Sequence, residues 1–182
     1  MKPVCLTIAG SDSGRGAGIQ ADLKTFASLG CYGTTVITAL TAQNTCGIKA
    51  VQAIDPDFVS AQLEAVMKDM PVSAVKIGIL PNQSVVSVVA RFLAKHSKPV
   101  VLDPVLVSTS GTSLMETAAL ETLKQHLFPL CKLVTPNFKE VELLSGSLME
   151  SESTTETIGR EMMVFGQQAL LITGGDRPGV TK

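Results

Sequence analysis

The fold is decided by residues 4–22, which read VCLTIAGSDSGRGAGIQAD. Residues 4–9 are an almost continuous apolar run, and they lead into a turn that is rich in glycine. Apolar residues then recur from Ile19 onward at helical spacing. A buried strand followed by a glycine-rich turn and a helix is the usual opening unit of an α/β fold. We therefore predict a strand at residues 4–9 and a helix that begins near Gly18.

The same alternation continues along the chain. Five further apolar runs have the length of buried strands, at residues 34–41, 74–80, 100–102, 133–135 and 169–173. Stripes of apolar residues at helical spacing separate these runs. This pattern predicts a three-layer αβα sandwich with a mostly parallel sheet, formed by residues 1–182 as one domain.

Two helix boundaries can be read from local chemistry. Asp55 followed by Pro56 predicts an N-cap and the first position of a helix. Gly30 follows the first helical stripe, where a left-handed C-cap would require glycine.

Composition limits the classes of function. Hydrophobic residues make up 45% of the 182 residues and the net charge is −1, which excludes a disordered tail and a basic field for nucleic acid or membrane lipid. The longest apolar runs are far shorter than the ~18–20 residues that span a bilayer. The four cysteines have neither disulfide-framework nor zinc-site spacing. These features predict a cytoplasmic protein with free thiols that binds a small molecule.

The glycine-rich turn carries four glycines between residues 10 and 18 and is interpreted as a ligand site rather than a merely tight turn. Free N–H groups at the start of the following helix are expected to point at the ligand. Residues 16–21 match the G-x-G-x-x-A dinucleotide pattern, but the next strand ends Ala42-Gln43-Asn44 without the acid that binds a ribose. A Walker A lysine is also absent from the turn.

Three polar side chains are candidates for binding, Gln43 and Asp103 near strand ends and Asp22 in the first turn of the predicted helix; a fourth, Lys76, lies inside a predicted strand. Gln43 offers a donor beside an acceptor, which can pair with an amino group next to a ring nitrogen; the alternative is a solvated loop glutamine. Asp22 either contacts a substrate or complements the helix dipole. Asp103 ends a buried strand, where an acid orients a metal or phosphate or simply caps a turn. Lys76 interrupts an apolar run, so it is either paired or reaches outward to water.

Taken together, the motifs resemble the hydroxymethylpyrimidine (phosphate) kinases of thiamine biosynthesis, in the ribokinase-like superfamily. The resemblance covers the whole chain. It is carried by residues 9–25, 36–45, 75–80, 101–105 and 135–137, with Glu140 and Glu142.

The resemblance implies transfer of a phosphoryl group from ATP, with Mg²⁺, to a hydroxymethylpyrimidine and then to its monophosphate. It implies that the substrate is bound by Gln43, Gly10, Asp22, Gly78 and Ile79. Residues near the ATP phosphates and magnesium would be Asp103, Asn137 and Glu140. Members of this family are often homodimers.

The chain departs from the family pattern at three places. Arg15 lies at a position of the turn where the family usually has a small residue, and Thr173 lies where the family often has lysine. The family's Gly-Thr-Gly-Cys segment, with its anion hole and catalytic cysteine, would lie beyond Lys182, so no catalytic residue is named. The chain would then be the N-terminal two thirds or so of the family domain.

Two alternatives are kept. A pyridoxal kinase shares this fold and has a similar small heteroaromatic substrate. A non-catalytic pyrimidine-binding module would account for the missing C-terminal segment.

Overall fold

The computed structural model describes residues 2–108, 111, 113–148 and 152–174, with the side chains of the last helix described from residue 155. Six strands form one sheet: β1 Val4–Asp12, β2 Tyr32–Asn44, β3 Gly47–Ala53, β4 Val72–Ile77, β5 Val100–Leu102 and β6 Leu133–Val134. Their spatial order is β3-β2-β1-β4-β5-β6, and neighbouring strands are parallel except β2 and β3. The predicted α/β class with a mostly parallel sheet is confirmed.

Helices connect the strands. They are α1 Gly18–Ser28, α2 Pro56–Asp69, α3 Gln83–Ala94, α4 Thr117–Thr122, α5 Phe138–Ser145 and α6 Glu152–Met162. A π-helical turn, Leu123–Leu127, and a 3₁₀ turn, Phe128–Leu130, extend α4, and a 3₁₀ turn, Met163–Phe165, extends α6. Among the described residues, no helix combines the length and the apolar character needed to cross a membrane.

The predicted helix boundaries follow from the local chemistry that suggested them. The Asp55 carboxylate accepts a hydrogen bond from the backbone N–H of Asp57 at 2.9 Å, and Pro56 is the first residue of α2. Gly30 follows α1 with φ of +75°. The helix after the glycine-rich turn begins at Gly18, as the apolar spacing predicts.

The sheet differs from the prediction at both edges. β3 was not predicted, because nearly all of its residues are exposed and it has no buried face to leave an apolar pattern. A two-residue turn at Thr45 and Cys46 brings it back onto β2, and backbone pairing alone defines it. At the other edge, residues 169–173 form only isolated bridges, Leu170 to Val134 and Thr173 to Asn137, rather than the predicted strand.

The core fixes which side chains of the central strands face which helices. Leu6 and Ile8 of β1 are fully buried in one hydrophobic cluster. This cluster also contains Val75 and Ile77 of β4, Val59 and Leu63 of α2, and Val85 and Val89 of α3. Because side chains alternate along a strand, Thr7 of β1 and Lys76 of β4 face the other side, toward α1.

The strand order reverses at β1. The chain passes from β1 to β2 on one side and later returns to β4 on the other side of β1. In open α/β sheets, ligands bind outside the carboxyl ends of strands at such a point. The turn after β1 and the residues that follow β4 therefore lie where a ligand is expected.

Candidate functional site

The glycine-rich turn is occupied by a side chain of its own. The carboxylate of Asp12, which is 4% exposed, accepts hydrogen bonds from the backbone N–H groups of Gly14 at 2.7 Å, Gly16 at 2.8 Å and Ala17 at 2.8 Å. We expected the free N–H groups at the start of α1 to point at a ligand; these three N–H groups belong to the turn before α1, and they bond to Asp12 instead. Consecutive N–H groups form a cavity for an anion, and Asp12 supplies the anion.

Gly18 brings α1 against β1. Its φ is +57°, and a Cβ atom at this position would lie 2.2 Å from the carbonyl oxygen of Gly10. Gln20 adds a second connection, because its Oε1 accepts from the N–H of Asp12 at 2.8 Å and its Nε2 donates to Ser11 Oγ at 2.7 Å. The turn is therefore held rigidly from both ends.

Gln43 lies at the end of β2, next to this turn. The hydroxyl of Ser13 donates to the carbonyl oxygen of Gln43 at 2.7 Å and accepts from its N–H at 2.8 Å. The hydroxyl proton of Thr41 can bond either Ser11 O at 3.1 Å or Gln43 Oε1 at 3.2 Å. Among the described residues, Nε2 of Gln43 has no partner, so the amide can still donate to a ligand.

A cleft of about 640 Å³ lies beside Gln43. Its walls come from the glycine-rich turn and the β2–β3 hairpin, namely Ser13, Ala42, Gln43, Asn44, Cys46, Gly47, Ile48 and Lys49. Gln43 is half-buried on a strand, which excludes the alternative of a solvated loop glutamine. Of the five predicted substrate residues, Gln43 is the one that lines this cleft.

Asp22 and Lys76 form an ion pair on the α1 side of the sheet. Lys76 Nζ lies 3.1 Å from both carboxylate oxygens of Asp22, and Thr7 donates to Asp22 Oδ2 at 2.6 Å. Asp22 lies in the second turn of α1, beyond the reach of the dipole at the helix start, so the helix-dipole alternative is wrong. Lys76 is paired rather than reaching outward to water.

Gly10, Gly78 and Ile79 come together where β1 and β4 end. A Cβ atom at Gly10 would lie 3.3 Å from Cδ1 of Ile79, and one at Gly78 would lie 3.0 Å from the Cβ of Ala9. The N–H of Gly78 donates to Ile8 O at 2.9 Å, which continues the pairing of β4 with β1. The same Gly78 position lies 3.3 Å from Lys76 Nζ, so these residues adjoin the ion pair.

Asp103, Asn137 and Glu140 follow β5 and β6. Asn137 and Glu140 form a capping box at the start of α5: Glu140 N–H donates to Asn137 Oδ1 at 3.1 Å, and Asn137 N–H donates to Glu140 Oε2 at 2.8 Å. The other oxygen of Glu140 accepts from Leu106 N–H at 3.4 Å. Both oxygens of Glu140 are therefore bonded to backbone.

Two carboxylates here have perturbed acidity. Burial is the main cause that raises the pKa of Glu140 to about 7. The hydrogen bond from the N–H of Asn137 lowers this pKa, and the negative charge of Asp103 raises it. Burial also raises the pKa of Asp103, while the nearby ammonium of Lys76 opposes the shift and Asp22 adds to it. Lys76 and Asp22 thus act on Asp103, and Asp103 acts on Glu140, so the four groups form a row of interacting charges.

The described residues do not form a complete metal site, since no three His, Cys, Asp or Glu side chains come together in a way that could hold an ion. Mg²⁺ needs less than this, because it commonly binds one or two carboxylates and takes its other ligands from phosphate and water. The Asp103 carboxylate has no hydrogen-bond partner among the described residues, so it fits such an ion arriving with a nucleotide.

Sequence reasoning missed Asp12 and Ser13 as the residues that shape the site. An acid among glycines was a usable signal for Asp12, because Asp side chains often bond to N–H groups two residues on. Nothing in the sequence pairs Ser13 with Gln43, thirty residues away. Thr173 pairs with Asn137 through a bridge, and its N–H donates to Pro136 O at 2.9 Å. Gly175 and Asp176 come shortly after the strand predicted at residues 169–173 and lie outside the described residues.

Comparison with known proteins gives a consistent result. The family described as "Phosphomethylpyrimidine kinase" matches residues 12–182. A hydroxymethylpyrimidine/phosphomethylpyrimidine kinase of Synechococcus elongatus is 47% identical over 177 residues, which is 97% of this chain and 67% of the relative. The chain spans about two thirds of the length of such curated kinases, from 65% to 68% in three of them.

Solved structures agree. The crystal structure of phosphomethylpyrimidine kinase from Clostridium difficile 630 is 41% identical, with a TM-score of 0.89, over 99% of this chain and 78% of that one. A pyridoxal kinase from Staphylococcus aureus in complex with AMP-PCP and pyridoxal is 30% identical, with a TM-score of 0.84, over 97% of this chain and 63% of that one.

Proposed function

Because the chain belongs to the phosphomethylpyrimidine kinase family, we propose that its protein transfers a phosphoryl group from ATP to 4-amino-5-hydroxymethyl-2-methylpyrimidine and then to the resulting monophosphate, in thiamine biosynthesis. The observation that carries this proposal is the position of Gln43. Its amide lies at the mouth of the cleft with Nε2 unpartnered among the described residues, and the Ser13 hydroxyl holds its backbone on both sides.

The amide of Gln43 matches the edge of an aminopyrimidine. The amino group donates and the adjacent ring nitrogen accepts, whereas the amide offers an acceptor, Oε1, beside a donor, Nε2. Two parallel hydrogen bonds of this kind fix the orientation of the ring as well as its position. We propose that Gly10, Gly78 and Ile79 form the wall of the substrate pocket where β1 and β4 end. Asp22 would act at the same place through its ion pair with Lys76.

The residues after β5 and β6 are proposed to face the phosphates of ATP. The Asp103 carboxylate has no hydrogen-bond partner in the described part of the chain and would hold Mg²⁺, which neutralises phosphate charge when it is bound. The side-chain NH₂ of Asn137 has no partner among the described residues, while Oδ1 caps α5. Glu140 is proposed to contribute by fixing the backbone of Asn137 and Leu106, to which its two oxygens bond.

Phosphoryl transfer depends mainly on positioning and on charge stabilisation. In this chain the rigid glycine-rich turn and Gln43 would orient the substrate's hydroxyl group, and the row of charges from Asp22 to Glu140 would set the electrostatic field beside it. We further infer one domain, a homodimeric assembly and a cytoplasmic location, which agree with the kinase family and with the absence of a membrane-spanning helix in the described part of the chain.

The test is calorimetric titration of the protein with the hydroxymethylpyrimidine. Gln43→Leu should weaken binding about tenfold or more, because both amide hydrogen bonds are lost and the substrate's polar edge is left unpaired. Gln52→Leu is the matched control, since Gln52 is exposed on β3 of the same hairpin and should leave affinity unchanged. Unchanged affinity in Gln43→Leu would refute the proposed role.

Pyridoxal is the competing substrate, because pyridoxal kinases share the fold of this chain. The same protein should be compared in its rate of phosphorylation of pyridoxal and of the hydroxymethylpyrimidine. A clear preference for pyridoxal would overturn the substrate assignment, and binding of the pyrimidine without any turnover would favour a non-catalytic binding module.

A further inference from the structure

Arg15 has an unusual backbone conformation at the tip of the glycine-rich turn. Its φ is +65°, and it is the one non-glycine residue with positive φ among those the structure describes. This region of φ and ψ is unfavourable for a residue with a Cβ atom and costs glycine nothing. An arginine in a strained position of a glycine-rich turn needs a compensating role, since glycine would fit without cost.

The backbone around Arg15 is fixed while its side chain is not. Its N–H donates to Asp12 O at 3.1 Å, and its carbonyl oxygen accepts from Lys24 Nζ at 2.6 Å. The guanidinium is exposed and has no hydrogen-bond or ion-pair partner among the described residues. A rigid turn therefore presents a guanidinium that has no partner among the described residues, two positions along the chain from Ser13, which lines the cleft.

Several other anion-binding groups near the turn are already engaged. The N–H groups of Gly14, Gly16 and Ala17 bond to the Asp12 carboxylate, so the turn cannot hold a phosphate through them. Lys76 pairs with Asp22. Lys24 bonds to the carbonyl oxygen of Arg15. Within the described part of the chain, the remaining candidate cations near the cleft are Arg15 and Lys49, and Lys49 lines the cleft from the β2–β3 hairpin.

The proposed substrate would bring a phosphate close to this position. Its hydroxymethyl group is on the ring carbon next to the one that carries the amino group. The turn lies beside Gln43, since Ser13, two residues before Arg15, bonds to the backbone carbonyl and N–H of Gln43. An extended arginine side chain from this turn can therefore reach toward a phosphate on a ring that Gln43 holds. Arginine binds phosphate through two parallel charge-assisted hydrogen bonds, which suits it to this task better than lysine.

We propose that Arg15 is a specificity-determining residue that recognises the phosphate of the monophosphate substrate and thereby distinguishes it from the unphosphorylated pyrimidine. This inference rests on the proposed function. In this proposal Arg15, at the tip of the turn, binds the phosphate, and the amide of Gln43 binds the pyrimidine ring.

The test compares the affinities of the two substrates, measured by calorimetry on the protein as its gene encodes it and without nucleotide. Arg15→Asn removes the charge but tolerates positive φ, and it should bind the monophosphate at least tenfold more weakly while affinity for the alcohol changes less than twofold. Arg15→Lys should lose less than Arg15→Asn. Lys49→Gln tests the other cation of the cleft, and Arg91→Gln, on the exposed side of α3, tests general loss of positive charge.

A second measurement, of thermal stability, should change in the opposite direction from the affinity for the monophosphate. Arg15→Gly should raise the midpoint of thermal unfolding by about 2–4 °C, since it relieves the strained backbone, although it should lose monophosphate affinity as Arg15→Asn does. A merely structural arginine would lower stability when removed. Gain of stability with loss of one substrate separates recognition from damage to the fold.

The outcomes are distinct. Equal loss of both substrates in Arg15→Asn, or loss in Lys49→Gln with no loss in Arg15→Asn, overturns the role of Arg15 and leaves the proposed function standing. Failure of the unaltered protein to bind either pyrimidine overturns the proposed function, and the role of Arg15 with it. Loss of monophosphate affinity alone supports both.

Discussion

Gly18 and Gly30 both have positive φ, but only Gly18 has backbone pressed against it. A Cβ at Gly18 would lie 2.2 Å from Gly10 O, whereas nothing lies within 4 Å of a Cβ at Gly30. We predict that Gly18→Ala lowers the free energy of unfolding by more than 2 kcal/mol, while Gly30→Ala loses only about 1 kcal/mol from its conformation. Urea denaturation of the two variants measures this difference. Equal losses of unfolding free energy in the two variants would show that the close approach of α1 to β1 does not contribute to stability.

At the scale of the element, β2 is longer than β3, the edge strand that pairs with it, so the first half of β2 has no neighbour on that side. β3 pairs with β2 only from Ala39 onward, so the outward N–H and C=O groups of Ile37 have no strand beside them. The side-chain amide of Gln62, on α2, takes both: Oε1 accepts from Ile37 N–H at 2.9 Å, and Nε2 donates to Ile37 O at 3.0 Å. A glutamine on a helix thus completes the hydrogen bonding of a strand.

Gln62→Leu should lower the free energy of unfolding by about 2 kcal/mol, because it leaves two half-buried backbone groups unpaired. Denaturation by urea, analysed for midpoint and slope, gives the value. Glu64→Leu is the matched control, since Glu64 is exposed on the same helix and the change in side chain is similar. A loss in Glu64→Leu as large as that in Gln62→Leu would attribute the effect to the helix rather than to the strand edge.

At the scale of the whole molecule, Glu140 links stability to pH. Its pKa rises from 4.5 to about 7 on folding, chiefly through burial. Between these values the folded state binds more protons than the unfolded state, so the free energy of unfolding falls as pH rises through this window. Below pH 4.5 both states are protonated and the contribution is constant. The total effect is at most about 3.5 kcal/mol, because the pKa changes from 4.5 to about 7 and each tenfold change in acidity is worth about 1.4 kcal/mol.

We therefore predict that stability decreases from about pH 5 to pH 8 in the unaltered protein and that this decrease is much smaller in Glu140→Gln. Chemical denaturation at several pH values, in chelator and without nucleotide, provides the comparison. Glu64→Gln, an exposed substitution, should retain the slope of the unaltered protein. An identical slope in Glu140→Gln would mean that another group, such as Asp103, dominates the pH dependence.

The fold was predictable wherever a strand is buried on both faces. β1, β4 and β5 leave apolar runs that are continuous or nearly so, and the order of strands and helices follows from them. β3 was not predictable, because a nearly fully exposed edge strand is defined by backbone pairing and leaves no pattern in the side chains.

The candidate site was predictable in its types of residue but not in its partners. The glycine content located the turn, and Gln43 stood out as a polar end to an apolar strand. That Asp12 fills the turn and that Lys76 neutralises Asp22 depends on contacts across the fold, 54 residues apart in the second case. Competition among internal partners for a hydrogen bond is a property of the packed molecule and cannot be read from spacing.

Asp12 has one more consequence, for the kinetics of ligand capture. Glycine-rich turns are often treated as mobile flaps that must become ordered around a ligand. Here the carboxylate of Asp12 already holds three N–H groups of the turn, so little backbone entropy remains to be lost at this rim. The glycines serve close packing rather than motion, and the encounter of a ligand with the cleft need not wait for this turn to close.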